Sequence, residues 1–260
     1  MDAAALVIPD WPALPPNIGA LATTRAGGVS AGPYADGSGR GGGGLNLGLH
    51  VGDDPAAVAE NRARLQALLP GRPAWIAQVH GNAVVDAATV GPDQPVRTGD
   101  ASIATRAGLV CAILTADCLP VLFADRAGRV VGAAHAGWRG LAGGVLQETV
   151  RAMRAAGAGE ITAWMGPAIG PMAFEVGQDV FDSFAQALPG VDIGFAFRRP
   201  PELGGKYLAD MFALARLMLE REDVTEIAGG IHCTATERDR FYSYRRDGVT
   251  GRQASLIWLK

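Results

Sequence analysis

The chain has 260 residues, 48% hydrophobic and 19% charged, enough to bury about three-quarters of its unfolded surface in one large domain. That composition excludes a disordered protein, and 23 basic against 26 acidic side chains, a net charge of -3, removes the electrostatic case for nucleic acid. The start, MDAAALVIPDWP, has neither the basic nor the apolar region of a signal peptide, and the longest apolar run, around Leu109 to Leu114, is too short to span a bilayer. Three cysteines without a CxxC pair fit a reducing cytoplasm better than a disulfide framework, so the expectation is a cytoplasmic protein with no membrane partner.

In chain order, residues 1–50 read as loop-rich, with PALPP near the start and DGSGRGGGG at 36–44. Gly37, Gly39 and Gly42 have formal GxGxxG spacing, but no apolar strand precedes them and no amphipathic helix follows. The segment is expected to be a flexible, dispensable insertion. The first helix is DDPAAVAENRARLQALLPG, capped by Asp53 or Asp54, with Pro55 in its first turn and Gly71 past its end. Strands are expected at Ala74 to Val79, Leu109 to Thr115, Val121 to Ala124 and Val130 to Ala134, with Pro120 breaking the pairing before the third. A helix over Gly143 to Ala156 carries Val145, Leu146, Thr149, Val150 and Met153 on one face. Strand Ile161 to Met165 leads into the loop GPAIGP, and a helix near Asp179 to Ala187 follows. The stripe Leu208, Met211, Phe212, Ala215, Met218, Leu219 predicts a core-facing helix whose methionines pack rather than ligate. Ala254 to Leu259 is the final strand. No linker or repeat interrupts this order, which gives one domain with a mixed sheet.

His80 in AQVHGN, Cys118 in LTADCLPVLF and His135 in GAAHAGWRG each sit at a strand end. Two imidazoles and one thiol there can converge, and three protein ligands with an open fourth position define a catalytic zinc site. Their separations, 38 and 17 residues, match no short metal motif, so a packed cysteine and two ordinary histidines remain the alternative. Asp117 can orient a ligand imidazole or, equally, cap its own turn. The Gly-rich turn HAGWRG feeds a helix start, where free N–H groups and Arg139 favour an anion; an ordinary surface arginine is the alternative.

Through TTRAGGVS at 23–30, NLGLHVGDDPAAVAENR at 46–62, QVHG at 78–81, TADCLPVLFAD at 115–125, AAHAGWRG at 133–140, GPAIGP with FEVG at 166–177, and FYSYRRDGVTGRQASLIWL at 241–259, the chain resembles a known family. These are the laccase-domain (YfiH-like) purine nucleoside phosphorylases, long labelled polyphenol oxidases. The resemblance implies an α+β fold, a single domain with a mixed β-sandwich flanked by helices in α-β-β-α layers. It implies one zinc on His80, Cys118 and His135, and phosphorolysis of adenosine, inosine, guanosine and methylthioadenosine with deamination of adenosine. Arg25, Asn46 and Arg139 match motifs around that site and are expected to contact the small-molecule substrates, purine nucleosides and phosphate. Some members are linked to peptidoglycan precursor editing. The chain departs from the family where ADGSGRGGGG intervenes after Tyr34 and where His232 precedes Cys233.

Four histidines cannot populate the copper sites of a multicopper oxidase, which argues against true laccase activity. The usual zinc-deaminase signature is also missing, so deamination here needs another constellation. Two rivals to the phosphorylase are a cysteine- or zinc-dependent amidohydrolase acting on a cell-wall precursor, with Cys118 as nucleophile, and a metal-stabilised module that binds nucleosides without turnover.

Overall fold

The computed structural model describes residues 5–39, 42–92 and 94–260. Asp54 accepts the Ala56 N–H at 2.9 Å and Pro55 occupies the first turn, so helix α1 runs Pro55–Gln66 as its start signals dictate. Before it lie strands β1 (Leu6–Val7), β2 (Ile18–Thr23) and β3 (Ala26–Ser30). After it come β4 (Pro73–Ala74), β5 (Val84–Asp86), β6 (Ala101–Ala104), β7 (Val110–Thr115), β8 (Leu119–Asp125) and β9 (Val131–Ala136). Helices α2 (Trp138–Ala142) and α3 (Val145–Ala155) lead to β10 (Ile161–Met165), β11 (Glu175–Val176), α4 (Gln178–Ala187), β12 (Phe197–Arg198) and β13 (Tyr207–Ala209). Helix α5 (Met211–Glu220), β14 (Ile227–Gly229), α6 (Tyr244–Asp247) and β15 (Gln253–Leu259) complete the chain.

Two sheets form the sandwich, one in the order β1-β2-β15-β7-β4 and the other β14-β10-β8-β9-β6-β5. Both mix parallel and antiparallel pairs. Alternation along the strands feeds three apolar layers. In β7, Cys111 and Ile113 point between the sheets, where they join Leu122, Val131, Trp164 and Ile257. Val110, Ala112 and Leu114 point the other way, against Leu65 of α1 with Leu45 and Leu47. Leu119, Val121 and Phe123 of β8 face α3 and α5 across the largest cluster. The layers are therefore helix, sheet, sheet, helix, and strands covered on both faces read as continuous apolar runs. Helix α5 buries Met211, Phe212, Leu214, Met218 and Leu219, each contributing about 1.5–3 kcal/mol against exposure. Its methionines pack in the core as expected.

Several expectations are corrected. Pro120 does not interrupt a strand; it lies inside β8, in register with His135. Its carbonyl accepts from Gly166 N at 2.9 Å, so the face of Pro120 that lacks an N–H looks past the last β10 pair and costs no β9 ladder bond. The chain around 74–79 is a strand only at Pro73–Ala74, and the helix expected from Gly143 begins at Val145 after the separate turn α2. Leu208 belongs to β13, not to α5. The loop-rich reading of the first 50 residues misses β2, which pairs with β15 inside the first sheet. All three cysteines are free.

Of the Gly-rich stretch, residues 40 and 41 lie outside the described residues. Its far end is built into the fold: Gly43 O accepts the Gly28 N–H at 3.1 Å, and Gly44 bridges Ala26 and Ser30. Both contacts are made to β3.

Candidate active site

Register brings the three chemistry-bearing residues together at one end of the sandwich. Cys118 immediately precedes β8 on the crossing from the first sheet to the second, and His135 sits near the end of β9 opposite Pro120. Their ligand atoms and that of His80 all lie within 4.8 Å of one another, the one such group among the described residues. Cys118 Sγ is 3.7 Å from His80 Nε2, and the two imidazole rings meet edge-on with centroids 4.7 Å apart.

Asp100, fully buried, organises this cluster. β6 pairs Ala101 with Ala134, so the residue before it falls beside His135. Its carboxylate accepts from His135 Nδ1 at 2.8 Å, which fixes the ring and leaves Nε2 for the cluster. The same carboxylate accepts the backbone N–H groups of His80 at 2.8 Å, Gly81 at 2.7 Å and Val79 at 3.2 Å. His80 has φ of 62°, a left-handed conformation costing about 1–2 kcal/mol, which these charge-assisted bonds offset. Gln78 fixes the preceding turn by donating to Leu114 O at 2.8 Å and accepting Leu114 N–H at 2.9 Å, in place of a neighbouring strand. Gly137 completes the enclosure: a Cβ there would stand 2.8 Å from His80 Cδ2 and 3.1 Å from Cys118 Sγ.

Burial disfavours the Cys118 thiolate, but hydrogen bonding and charge from His135 and His80 overcome it and bring the thiol down to about 6. Burial likewise opposes a charged His135, and bonding to Asp100 and Cys118 outweighs it, raising the imidazole to about 9. A thiolate and two imidazoles in one cluster, with a carboxylate behind one ring, form a donor set suited to a borderline-soft divalent metal.

The cluster opens into a cavity of about 800 Å³. Its wall includes Trp75, Gln78, Leu114 and Thr115 with the imidazole of His50 and the cations Arg62 and Arg252, and Leu49, Val96 and Tyr244 are exposed at its rim. Among the described residues, no carboxylate and no methionine lines it. Arg25, Asn46 and Arg139 are not in that wall. Arg25 is buried on the Tyr242 ring and donates to Ala35 O and Arg238 O. Asn46, wholly buried, donates to Asp53 and accepts the N–H groups of Gly48 and Arg252. Arg139 is exposed in α2, over the Trp138 ring. Asp117 takes neither role considered for it: it accepts from Thr234 Oγ1 and Arg245 N, both at 2.6 Å, and ties down the C-terminal loop. His232 lies elsewhere, bonded to Glu237 and Arg240. The residues that sequence reasoning missed are Asp100, His50, Arg62 and Arg252; the last three stand inside NLGLHVGDDPAAVAENR and GVTGRQ, and their place within segments that carry the family resemblance is the one signal they offered.

The family described as multi-copper polyphenol oxidoreductase laccase matches residues 19–260. A Pseudomonas aeruginosa protein named purine nucleoside phosphorylase is 49% identical over 256 residues, covering 98% of this chain and 99% of the relative. The Escherichia coli K12 protein named purine nucleoside phosphorylase YfiH is 48% identical, with 98% of each chain covered. A crystal structure of a Neisseria meningitidis protein superposes with a TM-score of 0.89 at 50% identity, covering 98% of this chain and 99% of that one. The structure of YlmD from Geobacillus stearothermophilus gives 0.86 at 33% identity, covering 100% and 98%.

Proposed function

The chain belongs to the laccase-like YfiH family, and on that premise we propose that its cavity is the active site of a zinc-dependent purine nucleoside phosphorylase. The observation that carries this reading is a His-Cys-His cluster at the floor of a cavity whose charged wall residues are cationic, with no carboxylate. The relatives' names supply the substrate class. The donor set fits zinc, since His80, Cys118 and His135 offer two imidazole nitrogens and a thiolate and leave a fourth position to the cavity. It fits a copper oxidase poorly, because the described residues hold one such cluster and no methionine lines the cavity to serve as an axial ligand. A bound zinc supplies Lewis-acid polarisation of a substrate oxygen.

In phosphorolysis an oxygen of hydrogen phosphate forms the bond to C1′ while the C1′–N9 bond breaks. The electron pair leaves on the purine, which takes up the proton that the phosphate gives up, so that ribose 1-phosphate and free base result. This chain's part is to hold both reactants in one cavity, the base and sugar against Trp75, Leu114 and Tyr244 and the anion against the cationic wall. Adenosine, inosine, guanosine and methylthioadenosine are the proposed nucleosides. Deamination of adenosine has less support, because no carboxylate in the wall stands ready to shuttle a proton to departing ammonia.

One observation favours a second reading. Cys118 Sγ lies 3.7 Å from His80 Nε2 in one cluster with His135, and hydrogen bonding and charge from both rings lower its thiol, so it is also placed as an activated nucleophile, which suits an amidohydrolase acting on a cell-wall precursor. Product analysis with zinc-loaded protein and inosine, with and without phosphate, separates them. Ribose 1-phosphate formed only with phosphate, together with resistance of Cys118 to alkylation while zinc is bound, supports the phosphorylase. Ready alkylation of the loaded protein and no phosphate-dependent product overturn it.

A further inference from the structure

Arg62 and Arg252 enter the cavity without the partners that arginines of such burial ordinarily have. Arg62 donates through Nε to Leu47 O at 2.9 Å and lies over the Trp75 ring, 4.5 Å from its centroid. Arg252 donates through Nη1 to the carbonyls of Thr250 and Gly251, at 3.1 and 3.0 Å. Neither has a carboxylate within ion-pair distance among the described residues, whereas Arg64, Arg126, Arg151 and Lys206 pair with glutamates on the open surface. Among the described residues, no protein acceptor meets either Nη atom of Arg62 or Nε and Nη2 of Arg252. His50 shares the wall, its imidazole held low by burial and then by Arg252 and Arg62. Burial alone brings the Arg62 guanidinium down to about 10, the mark of a desolvated cation without a counter-charge.

The positions are built. Asn61, next to Arg62, donates to Ser30 Oγ, Gly44 O and Asn46 O and accepts the Val29 N–H, which pins α1 beside the cavity. Asn46 Oδ1 accepts the Arg252 N–H at 2.9 Å. A buried network thus spends its hydrogen bonds on placing two guanidinium groups and leaves their free donors facing one space. Two planar forks with no carboxylate in ion-pair reach among the described residues, beside a metal-type cluster, fit an oxyanion with several acceptor oxygens.

We infer that His50, Arg62 and Arg252 form the site for inorganic phosphate, with Asn46 as the positioning residue for Arg252. The inference rests on the phosphorylase reading and locates its second substrate. It puts the anion on a wall different from the α2 start, where Arg139 is exposed.

The test uses zinc-loaded full-length protein and inorganic phosphate. Arg62→Met and Arg252→Met should each weaken phosphate, by calorimetric Kd and by phosphate KM at saturating inosine, about tenfold or more, the loss of a charge-assisted hydrogen bond. Arg62→Lys should recover part of the loss, while inosine KM and zinc content stay near wild type. An unchanged phosphate Kd in the double Met variant, with wild-type zinc content as the check on folding, overturns the site. Acetate or lactate binding as tightly as phosphate, and displacing it, also overturns it in favour of a carboxylate site. If the wild type binds phosphate through these arginines yet makes no ribose 1-phosphate, the site stands and the phosphorylase reading falls; phosphate-dependent turnover with unaltered phosphate KM in both variants gives the reverse.

Discussion

Asp100 meets His135 Nδ1 and the N–H groups of Val79, His80 and Gly81 with a single carboxylate, so one side chain sets the ring of one ligand and the backbone of another. Asp100→Asn keeps the shape but loses the charge and presents an amide where acceptors are needed. Metal affinity should fall about 10- to 100-fold, read by competition against a chromogenic chelator; an unchanged affinity would remove Asp100 from the site. Gly137 tests the enclosure from the other side. Its φ of -62° and ψ of 157° suit any residue, so Gly137→Ala carries no backbone strain, and its Cβ should push on His80 and Cys118 alone. The expected outcome is a folded protein with reduced metal content; full metal occupancy would mean that the ligands yield at no cost. His80, Cys118 and His135 were legible because soft or borderline ligands at strand ends are few in this chain. Asp100 was not, because RTGDAS reads as an ordinary turn and its partner is set by the β6–β9 register, a pairing between distant segments. Arg62 and Arg252 are hidden by the abundance of arginine, whereas Asp117 at a turn and Arg139 at a helix start stand out for local reasons.

Among the elements, strands and helices with bulky apolar residues were read close to their true limits. Ile161–Met165 is a strand as expected, and α4 starts one residue before its expected Asp179. The failures share a cause: β2 is IGALAT, too small and too Gly- and Ala-rich to show an apolar pattern, and it becomes a strand by pairing with β1 and β15. In the Gly-rich segment, composition says that glycines permit motion but not where close packing demands them. At Gly44 a Cβ would collide with the Tyr34 carbonyl oxygen and the Tyr242 hydroxyl, whereas at Gly39, with φ of 69°, it would meet nothing within 4 Å. Gly44→Ala should therefore destabilise by about 3 kcal/mol or more, as overpacking against backbone. Gly39→Ala should cost only the left-handed strain of about 1–2 kcal/mol. Chemical denaturation of the two variants decides; equal losses would mean that the contact at Gly44 relaxes freely.

At the scale of the whole molecule, the three ligands join parts of the sandwich that the cores hold separately. His80 follows the edge strand of the first sheet, Cys118 lies on the crossing between sheets, and His135 belongs to the second. A metal on these ligands therefore ties the two sheets together at one end, while the apolar layers between and outside them are complete without it. Metal removal should lower Tm without unfolding the chain at room temperature. Binding to the folded state alone stabilises by RT ln(1 + [L]/Kd), about 4 kcal/mol when free metal stands a thousandfold above Kd. The Tm of wild type should thus climb with free zinc and fall after chelation, with the far-ultraviolet circular dichroism unchanged at 25 °C. Cys118→Ser, which keeps a small polar side chain but offers zinc a far weaker ligand than a thiolate, should flatten that dependence while its metal-free Tm stays near that of metal-free wild type. A Tm indifferent to zinc in the wild type would show that the cluster does not bind the ion in the folded protein. Loss of circular dichroism on chelation would instead make the metal part of the fold itself, in conflict with cores that close around no ligand.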